Sequence, residues 1–396
     1  MSTDPKRYDV VVIGGGIHGA GVAQAAAAQG HSVLVLEQTD LAAGTSSRSS
    51  KLIHGGLRYL EGGHLNLVRE CLHERALLLK LAPELVKLRP FYLPVYRDTH
   101  RRPWEIRLGL SLYALLAGAD KISRYHRVPR HHWDRLDGLS TDGLDAVFCY
   151  PDAQTDDAGL TRAVMHSAQT LGAELRLPAS VQRVECHTRG ATVQYQMAQE
   201  SLQCECLAVV NAAGPWVNQV LQKVTPVSPQ LAMDLVQGTH ILVPGVLIQG
   251  LYYLEAPRDR RAVFVMPWRG KTLVGTTETI YRGDPAQVQP RQDEIDYLWE
   301  TLAHYFPRYR GGEHQVLDAF AGLRVLPAQS DSPFSRSRET ILHPDRADKP
   351  RLLTIYGGKL TAYRATAAAV MARLRPSLPA HEAIADTANL ALQAVS

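Results

Sequence analysis

The first forty residues order their apolar positions in a way typical of a βαβ unit. Residues 7–13 (RYDVVVI) form a short, valine-rich apolar run, which predicts a buried parallel strand. An alanine-rich helix is predicted over residues 20–29, and Gly30 is placed to end it as a C-terminal cap. A second apolar strand over residues 32–36 completes the unit.

Five later segments are predicted to be helical, in addition to a helix that follows Gly214. Apolar side chains at spacings of three and four residues indicate the clearest of them. Asp156 or Asp157 can cap one helix, after an acidic loop that begins at Tyr150. The predicted helices cover residues 64–81, a segment from Pro103, a segment ending near Gly172, residues 291–306 and a segment from Lys359.

Short apolar runs separated by turn residues predict strands in other parts of the chain. Alternating runs over residues 173–206 indicate a small meander, and residues 207–213 form an apolar strand that leads through Gly214 into a helix. Arg269 and Gly270 are typical of a hairpin turn. Further strands are predicted at residues 241–243, 252–255, 262–267, 272–275 and 352–356.

Composition narrows the class of protein. The chain has 396 residues, of which 45% are hydrophobic, and a formal net charge of +4. This charge suits an anionic substrate, an anionic membrane or a solvated surface, and it is far from the strongly basic profile of a nucleic-acid-binding protein. The five cysteines include no CxxC pair, so we expect reduced thiols, and we predict no metal site. The N-terminus lacks a signal-peptide pattern, which predicts a cytoplasmic protein.

One apolar segment bears on membrane contact. Residues 108–119 (LGLSLYALLAGA) fall short of the ~20 residues that a membrane-spanning helix needs. Basic residues flank the segment on both sides. The helix from Pro103 either packs in the core or lies on the inner face of a membrane with Trp104 and Tyr113 at the interface.

A glycine-rich loop follows the first strand and has the pattern G-x-G-x-x-G. Gly14 makes the tight turn, Gly16 lets the backbone approach a pyrophosphate, and Gly19 lets the helix pack against the strand. The helix N-terminus presents N–H groups and a positive dipole end to phosphates. Glu37, at the end of the second strand, can accept both hydroxyl hydrogens of an adenosine ribose. We predict a dinucleotide site.

The next segment distinguishes between two dinucleotides. Residues 41–50 (LAAGTSSRSS) are small and rich in hydroxyl groups, which suits a pyrophosphate or a flavin ring. An NAD-binding domain usually runs directly into another βαβ unit at this point. This chain continues instead into residues 49–61 (SSKLIHGGLRYLE), which favours a flavin.

These motifs, with later ones in the same order, resemble the FAD-dependent glycerol-3-phosphate dehydrogenases, part of a wider group of flavin amine and hydroxy-acid oxidases. The resemblance covers residues 6–375. The sequence departs from the family pattern at Glu278, where aspartate is frequent, and in AGLRVLP, which differs from the usual order of glycine, hydrophobic residue, arginine and proline. The further C-terminal helical domain that is usual in the family is also not expected here. The motifs are GGGIHGAG, TSSRSSKLIHGGLRYLE, YPDAQTDDAGLT, VVNAAGPWVN, QGTHILVP, VFVMPWRGKTLVGTTE, AGLRVLP and YGGKLTAYR.

The resemblance implies an α/β fold. We expect a Rossmann-like FAD-binding domain of the glutathione-reductase and D-amino-acid-oxidase type, interleaved with an α+β substrate domain built on an antiparallel sheet. The FAD-binding domain is predicted at residues 1–90, 150–225 and 345–376, the substrate domain at 91–149 and 226–344, and a C-terminal tail at 377–396.

The resemblance also implies the residues of the site. His240, Arg324 and His54 are the expected catalytic residues, with His240 as the base or hydroxyl-orienting group. The expected substrate-binding residues are Arg58, Tyr59, His240, Arg324, Arg338 and Lys359, because a phosphate needs several cations. The expected FAD-binding residues are Gly14, Gly16, Gly19, Glu37, Thr45, Ser46, Ser47, Ser50, Lys51, His54, Gly55, Gly56, Ala213, Gly214, Gly357, Gly358, Lys359, Leu360 and Thr361.

The implied reaction is hydride transfer from C2 of sn-glycerol 3-phosphate to flavin N5, giving dihydroxyacetone phosphate. Electrons then pass to a quinone or to O₂, and the residues leave both acceptors open. A flavin oxidase of an amino or hydroxy acid, an enzyme of another phosphorylated or phosphonate alcohol, and a non-catalytic flavin-binding module stay as alternatives. A membrane surface and a second copy of the chain are the other partners considered.

Overall fold

A computed structural model of the protein describes residues 6–118, 124–311, 315–328 and 339–395. The predicted substrate residue Arg338 lies outside these residues. The helices are α1 (Ile17–Ala28), α2 (Leu65–Leu81), α3 (Pro103–Leu116), α4 (Asp157–Thr170), α5 (Val217–Leu221), α6 (Gln292–Tyr305) and α7 (Tyr363–Leu374). The strands are β1 (Lys6–Ile13), β2 (Val33–Leu36), β3 (Leu52–Ile53), β4 (Val86–Tyr96), β5 (His126–Arg127), β6 (Leu144–Thr155), β7 (Glu174–Arg176), β8 (Ser180–His187), β9 (Gly190–Met197), β10 (Glu200–Asn211), β11 (Val224–Thr225), β12 (Met233–Val243), β13 (Leu251–Glu255), β14 (Ala262–Trp268), β15 (Lys271–Gly275), β16 (Thr279–Tyr281), β17 (Asp318–Pro327), β18 (Ile341–Pro344) and β19 (Leu352–Tyr356).

The first sheet has a parallel centre. Strand β1 lies between β10 and β2, β7 adds to β2, and β19 adds to β10, all in parallel. The antiparallel strands β8 and β9 continue the sheet beyond β10, and β18 pairs with β19. Residues Val10, Val11 and Val12 are fully buried, because both faces of a parallel sheet are covered. The predicted α/β fold is confirmed.

The second sheet is mixed and mainly antiparallel. Its main path is β16-β12-β15-β14-β13-β4-β6-β3, with β17 paired along β12 and β5 on β6. Residues 269 and 270 turn between β14 and β15 with positive φ at both positions, which is the geometry of a tight hairpin. Helix α6 packs on this sheet with Leu298 and Leu302 fully buried.

Two local predictions are wrong. Tyr150 belongs to β6, because its ring is buried against Phe91 of β4. The acidic residues before α4 therefore form only the N-terminal cap of that helix. The last helix begins at Tyr363 and not at Lys359, because residues 359–362 form a separate turn in which the N–H of Ala362 donates to the carbonyl of Lys359.

Tyr113 decides between the two placements considered for its side chain, and it packs in the core. Its side chain is buried and its hydroxyl donates to Asp152 at 2.7 Å, so it is not at an interface with a membrane. The hydroxyl also accepts a hydrogen bond from the backbone N–H of Gly55. Burial of a tyrosine ring requires such partners for its polar end.

Candidate active site

Four parallel strands of the first sheet end at one cavity. Strands β1, β2, β10 and β19 run in the same direction, and the residues after their carboxyl ends line a cavity of about 610 Å³. This is where open α/β sheets bind ligands. The second sheet contributes the opposite wall. The predicted site residues on the wall are Gly14, Gly16, Glu37, Thr45, Ser46, Ser50, His54, Gly56, Arg58, Tyr59, Ala213, Gly214, His240, Arg324, Gly357, Gly358, Lys359, Leu360 and Thr361.

The glycine-rich loop leaves no room for side chains. A Cβ on Gly14 would stand 2.6 Å from the carbonyl oxygen of Ala212, and one on Gly19 would come still closer to the oxygen of Gly14. Gly14 also has φ of +112°, which L side chains rarely adopt. The loop is therefore compressed between β10 and α1. The space that it leaves at the N-terminus of α1 fits a pyrophosphate.

The carboxylate of Glu37 is fixed at the rim of this loop. One oxygen accepts from the N–H of Gly15 at 2.6 Å, and the other accepts from the N–H and hydroxyl of Thr39. The side chain is buried on the cavity wall. A carboxylate held there can accept the hydroxyl hydrogens of a ribose, so these residues fit the dinucleotide that the sequence predicts.

The hydroxyl-rich loop ties the two sheets together at the cavity. Ser46 Oγ accepts from the N–H of Ile17 at 2.9 Å, and Thr45 Oγ1 donates to the carbonyl of Leu323 at 2.7 Å. The first bond caps α1 and the second reaches β17 of the second sheet. Hydroxyl side chains at this position therefore fix the loop as well as line the site.

Four predicted cofactor residues lie behind the cavity wall: Gly19, Ser47, Lys51 and Gly55. Lys51 is buried and its Nζ pairs with Asp157 at 2.8 Å, because a buried ammonium requires a carboxylate partner. The carbonyl of Ser47 accepts from the same Nζ. These residues support the wall.

Two predicted arginines converge on one carboxylate. Arg58 Nη1 and Arg324 Nη1 lie 3.9 and 3.7 Å from Oε1 of Glu278. Arg324 also donates to the Thr276 hydroxyl at 3.2 Å. The guanidinium groups face the cavity, and their side chains are only 20% and 23% exposed. The role of Glu278 was missed, although the unusual glutamate in GTTE marked the position.

Lysine 359 adds a third cation to the same wall. Its Nζ lies 3.9 Å from the centre of the Tyr59 ring, and both residues line the cavity. The guanidinium carbon of Arg58 lies 6.0 Å from the centre of the same ring. The face of an aromatic ring attracts cations, so Tyr59 helps to keep two like charges near each other.

His240 is buried between the sheets and faces the cavity. Its Nε2 lies 2.9 Å from Ser50 Oγ, and its ring stacks on Phe320 at 5.0 Å between centroids. Burial lowers the pKa of His240 well below its ordinary value of 6.5, and the charges of Arg324 and Lys51 lower it further. The imidazole is therefore neutral at physiological pH.

Two further histidines line the cavity. The N–H of His54 donates to the Thr361 hydroxyl at 3.2 Å, which joins the turn after β3 to the loop before α7. His18, which the sequence reading left without a role, stands so close to Gly358 that a Cβ there would clash with its ring. Burial lowers the pKa of His18 to about 4. The ring of His18 is therefore uncharged at neutral pH.

Comparisons with known proteins agree with this geometry. The family described as FAD dependent oxidoreductase matches residues 9–372. A glycerol-3-phosphate dehydrogenase of Pseudomonas aeruginosa is 38% identical over 380 residues, covering 93% of this chain and 72% of that protein. A D-erythritol 1-phosphate dehydrogenase of Brucella abortus is 37% identical over 95% of this chain and 75% of its own length.

A solved structure of a glycerol-3-phosphate dehydrogenase has a similar fold. The glycerol-3-phosphate dehydrogenase of Bacillus halodurans, complexed with FAD, superimposes with a TM-score of 0.72. It is 27% identical, and the match covers 98% of this chain and 68% of that one.

Proposed function

Because this chain belongs to the FAD-dependent oxidoreductase family and binds FAD, we propose that it oxidises glycerol 3-phosphate to dihydroxyacetone phosphate. The secondary alcohol at C2 loses a hydride from carbon and a proton from oxygen. FAD, when bound, accepts the hydride. The observation that carries the proposal is the convergence of Arg58, Arg324 and Lys359 on the cavity wall.

The three cations match the charge of a phosphate monoester. Such a group carries about −1.5 to −2 at neutral pH. Arg58, Arg324 and Lys359 together with the Glu278 carboxylate carry two net positive charges. A carboxylate substrate would leave one of these charges without compensation. The arginines bind phosphate oxygens through parallel N–H bonds, and Lys359 binds as a point charge.

Glu278 holds the arginines ready before the substrate arrives. Its side chain is only 5% exposed, so the carboxylate keeps both guanidinium groups pointed at one place. The same oxygen can accept a hydroxyl hydrogen of the bound alcohol once the phosphate takes over the arginines. This gives the site a preference for polyol phosphates over simple phosphomonoesters.

His240 receives the hydroxyl proton in this proposal. Its neutral ring is available as a proton acceptor at every physiological pH, and Ser50 and Phe320 fix its orientation. Burial, and after it the charge of Arg324, lowers the pKa of His240, which favours late proton transfer, as negative charge builds on the alcohol oxygen.

We expect His240→Asn to lower kcat by roughly 10²–10⁴, the usual contribution of a positioned acid–base group. Because the pKa of His240 is lowered, the acid limb of wild-type kcat should lie below pH 6.5. Steady-state rates with an artificial electron acceptor between pH 5 and 9 test this. An acid limb at or above pH 6.5 that disappears in His240→Asn would contradict it. His187→Ala, which removes an exposed histidine paired with Glu205, should leave the profile unchanged.

Glu37→Gln should raise the Kd for FAD by roughly 10- to 100-fold. The amide would present an N–H₂ group to the N–H of Gly15 or Thr39, so a charge-assisted bond worth about 1.5–3 kcal/mol is lost. Titration of the apoprotein with FAD, followed by flavin fluorescence, measures the change. Glu174→Gln, on an exposed carboxylate paired with Lys6, is the control and should bind FAD normally. Equal affinities in the two variants would contradict this role for Glu37.

A second substrate is supported by one relative. The D-erythritol 1-phosphate dehydrogenase is nearly as similar as the glycerol-3-phosphate dehydrogenases, so a longer polyol phosphate is the alternative. Product formation from glycerol 3-phosphate, erythritol 1-phosphate, glycerol and glycine, each with an artificial acceptor, distinguishes the candidates. Our proposal expects the highest kcat/KM for glycerol 3-phosphate and none measurable for glycerol or glycine. A preference for glycine would overturn it.

We also propose that the protein meets the membrane through α3 and passes electrons to a quinone. Within the described residues, no helix is long and apolar enough to cross a bilayer. On α3, however, Trp104, Leu108 and Leu115 are exposed by 66%, 65% and 68%, and they fall on one stripe of the helix. Ile106 and Leu110 on the other face are buried. An apolar stripe beside basic residues suits an anionic lipid surface.

The double variant Trp104→Ser and Leu108→Ser should bind vesicles of phosphatidylglycerol at least 10-fold more weakly than wild type. Each large apolar side chain contributes about 1.5–3 kcal/mol when it leaves water. Co-sedimentation measures binding. Leu317→Ser, which removes an exposed leucine outside α3, is the control. Equal binding of wild type and the double variant would contradict contact through α3.

A further inference from the structure

Two histidines and a carboxylate lie at the end of α1 that faces away from the cavity. Asp9 is near the start of β1, His31 follows α1, and His381 comes from the segment after α7. Helix α1 has 12 residues, about 18 Å, so this cluster is remote from the cofactor loop. The proposed reaction uses none of the three.

The three side chains already have metal-ligand spacing. Asp9 Oδ2 lies 3.7 Å from His31 Nδ1 and 3.3 Å from His381 Nε2, and all three ligand atoms lie within 4.8 Å of one another. Zinc binds such nitrogen and oxygen atoms at about 2.0–2.2 Å, which places them roughly 3.3 Å apart in a tetrahedral site. Small side-chain movements would bring the cluster to this geometry.

An unpartnered buried nitrogen points into the same space. The His31 side chain is only 6% exposed, and its Nδ1 has no hydrogen-bond partner among the described residues. The distance of 3.7 Å to Asp9 Oδ2 is too long for a hydrogen bond. Buried polar atoms nearly always have partners, so a buried imidazole nitrogen that reaches the Asp9 carboxylate only at 3.7 Å, beside a second imidazole, leaves room for an ion.

The surroundings hold these ligands in place. The N–H and hydroxyl of Ser32 donate to Asp9 Oδ2 at 2.9 and 3.1 Å, as outer-shell groups do for metal-binding carboxylates. Gly30 and His31 donate to the carbonyls of Ala27 and Ala26, the pattern of a Schellman cap, which confirms Gly30 as the helix-ending residue. The negative end of the helix dipole also favours a cation here.

His381 belongs to a segment that is docked on the first layer of the fold. The N–H groups of Ile384 and Ala385 donate to the carbonyl of Ala28, and Leu392 is 3% exposed in the core around α1. An ion shared by His31 and His381 would therefore join this segment to α1.

We propose that Asp9, His31 and His381 form a binding site for Zn²⁺. Imidazole and carboxylate ligands are the set that zinc prefers among non-thiolate donors, and water completes its coordination. The ion stabilises the docked position of residues 381–392. The sequence-based prediction is that the chain has no metal site, and the titration described next decides between that prediction and this proposal.

The test uses the tag-free flavoprotein, freed of metal with EDTA and titrated with ZnCl₂ by calorimetry at pH 7.5. We expect one Zn²⁺ per chain with micromolar or tighter affinity, and a melting temperature raised by a few degrees in zinc. His381→Ala should weaken binding at least 100-fold and abolish the thermal shift. His381→Cys, which replaces one zinc ligand with another, should keep both.

His187→Ala is the matched control and should leave zinc binding unchanged, because among the described residues His187 is paired with Glu205 at 3.6 Å and belongs to no group of three metal-ligating side chains. Flavin absorbance of each variant reports whether the fold is intact. The proposal is overturned if the wild type takes up no stoichiometric zinc. It is also overturned if His381→Ala, with normal flavin content, binds zinc as tightly as the wild type.

Discussion

Replacing Arg324 with alanine is expected to lower kcat/KM for glycerol 3-phosphate by roughly 30- to 5000-fold. Truncating one member of a desolvated charge pair costs about 2–5 kcal/mol, and each 1.36 kcal/mol is about tenfold. In this site the loss of substrate affinity is larger still, because the Glu278 carboxylate would repel the phosphate with one arginine fewer to neutralise it. Arg58→Ala should have an effect of similar size, since both guanidinium groups share that carboxylate.

Steady-state kinetics with an artificial acceptor measure this effect, and the flavin spectrum shows that each variant still holds its cofactor. Arg258→Ala is the control, because Arg258 is an exposed arginine paired with Glu300 on the surface. It should retain wild-type kinetics. If Arg324→Ala and Arg58→Ala both kept kcat/KM within a factor of three, the phosphate would not bind where we place it.

Gly19→Ala is expected to yield protein that is isolated without flavin, with FAD affinity lowered by at least 10³. The added Cβ would overlap the carbonyl oxygen of Gly14, which is backbone and cannot move aside as a flexible side chain can. Helix α1 must then shift away from the loop, and its N–H groups leave the pyrophosphate site. The ratio of flavin to protein absorbance after purification, and a titration of the apoprotein with FAD, measure the loss.

Gly109→Ala is the matched control for this substitution. Gly109 lies within α3, and a Cβ there would meet no atom within 4 Å. Alanine also favours a helix by about 1 kcal/mol relative to glycine. The control should therefore bind FAD normally. Normal flavin content in Gly19→Ala would show that the loop tolerates a side chain and would contradict our account of the site.

The parts of the fold that the sequence predicts well are local ones. The strand, glycine loop, helix and second strand of the first forty residues depend on periodicity and on the glycine positions, and α1 begins at Ile17 only three residues before the predicted start. The pairing of β10 with both β1 and β19 joins segments more than a hundred residues apart, and no local pattern specifies it.

The site was predictable only in part, for the same reason. Spacing indicated Gly14 and Glu37, whereas the meeting of Arg58 with Arg324 could be expected only from the resemblance to a family. Roles carried over from the family can also fail. Lys51 was expected to contact FAD, but it is buried against Asp157, and this pairing depends on how α4 packs under the loop. The carboxylate between the arginines belongs to a third segment and became visible only in three dimensions.

The proposed function requires that Arg58 and Arg324 bind a phosphate in the cavity where we place the flavin. Anaerobic mixing of the oxidised protein with glycerol 3-phosphate in a stopped-flow spectrometer tests this most directly. We predict that the flavin absorbance near 450 nm bleaches in a single saturable phase with glycerol 3-phosphate and does not bleach with glycerol at the same concentration. Equal bleaching by glycerol, or none by glycerol 3-phosphate, would contradict the account.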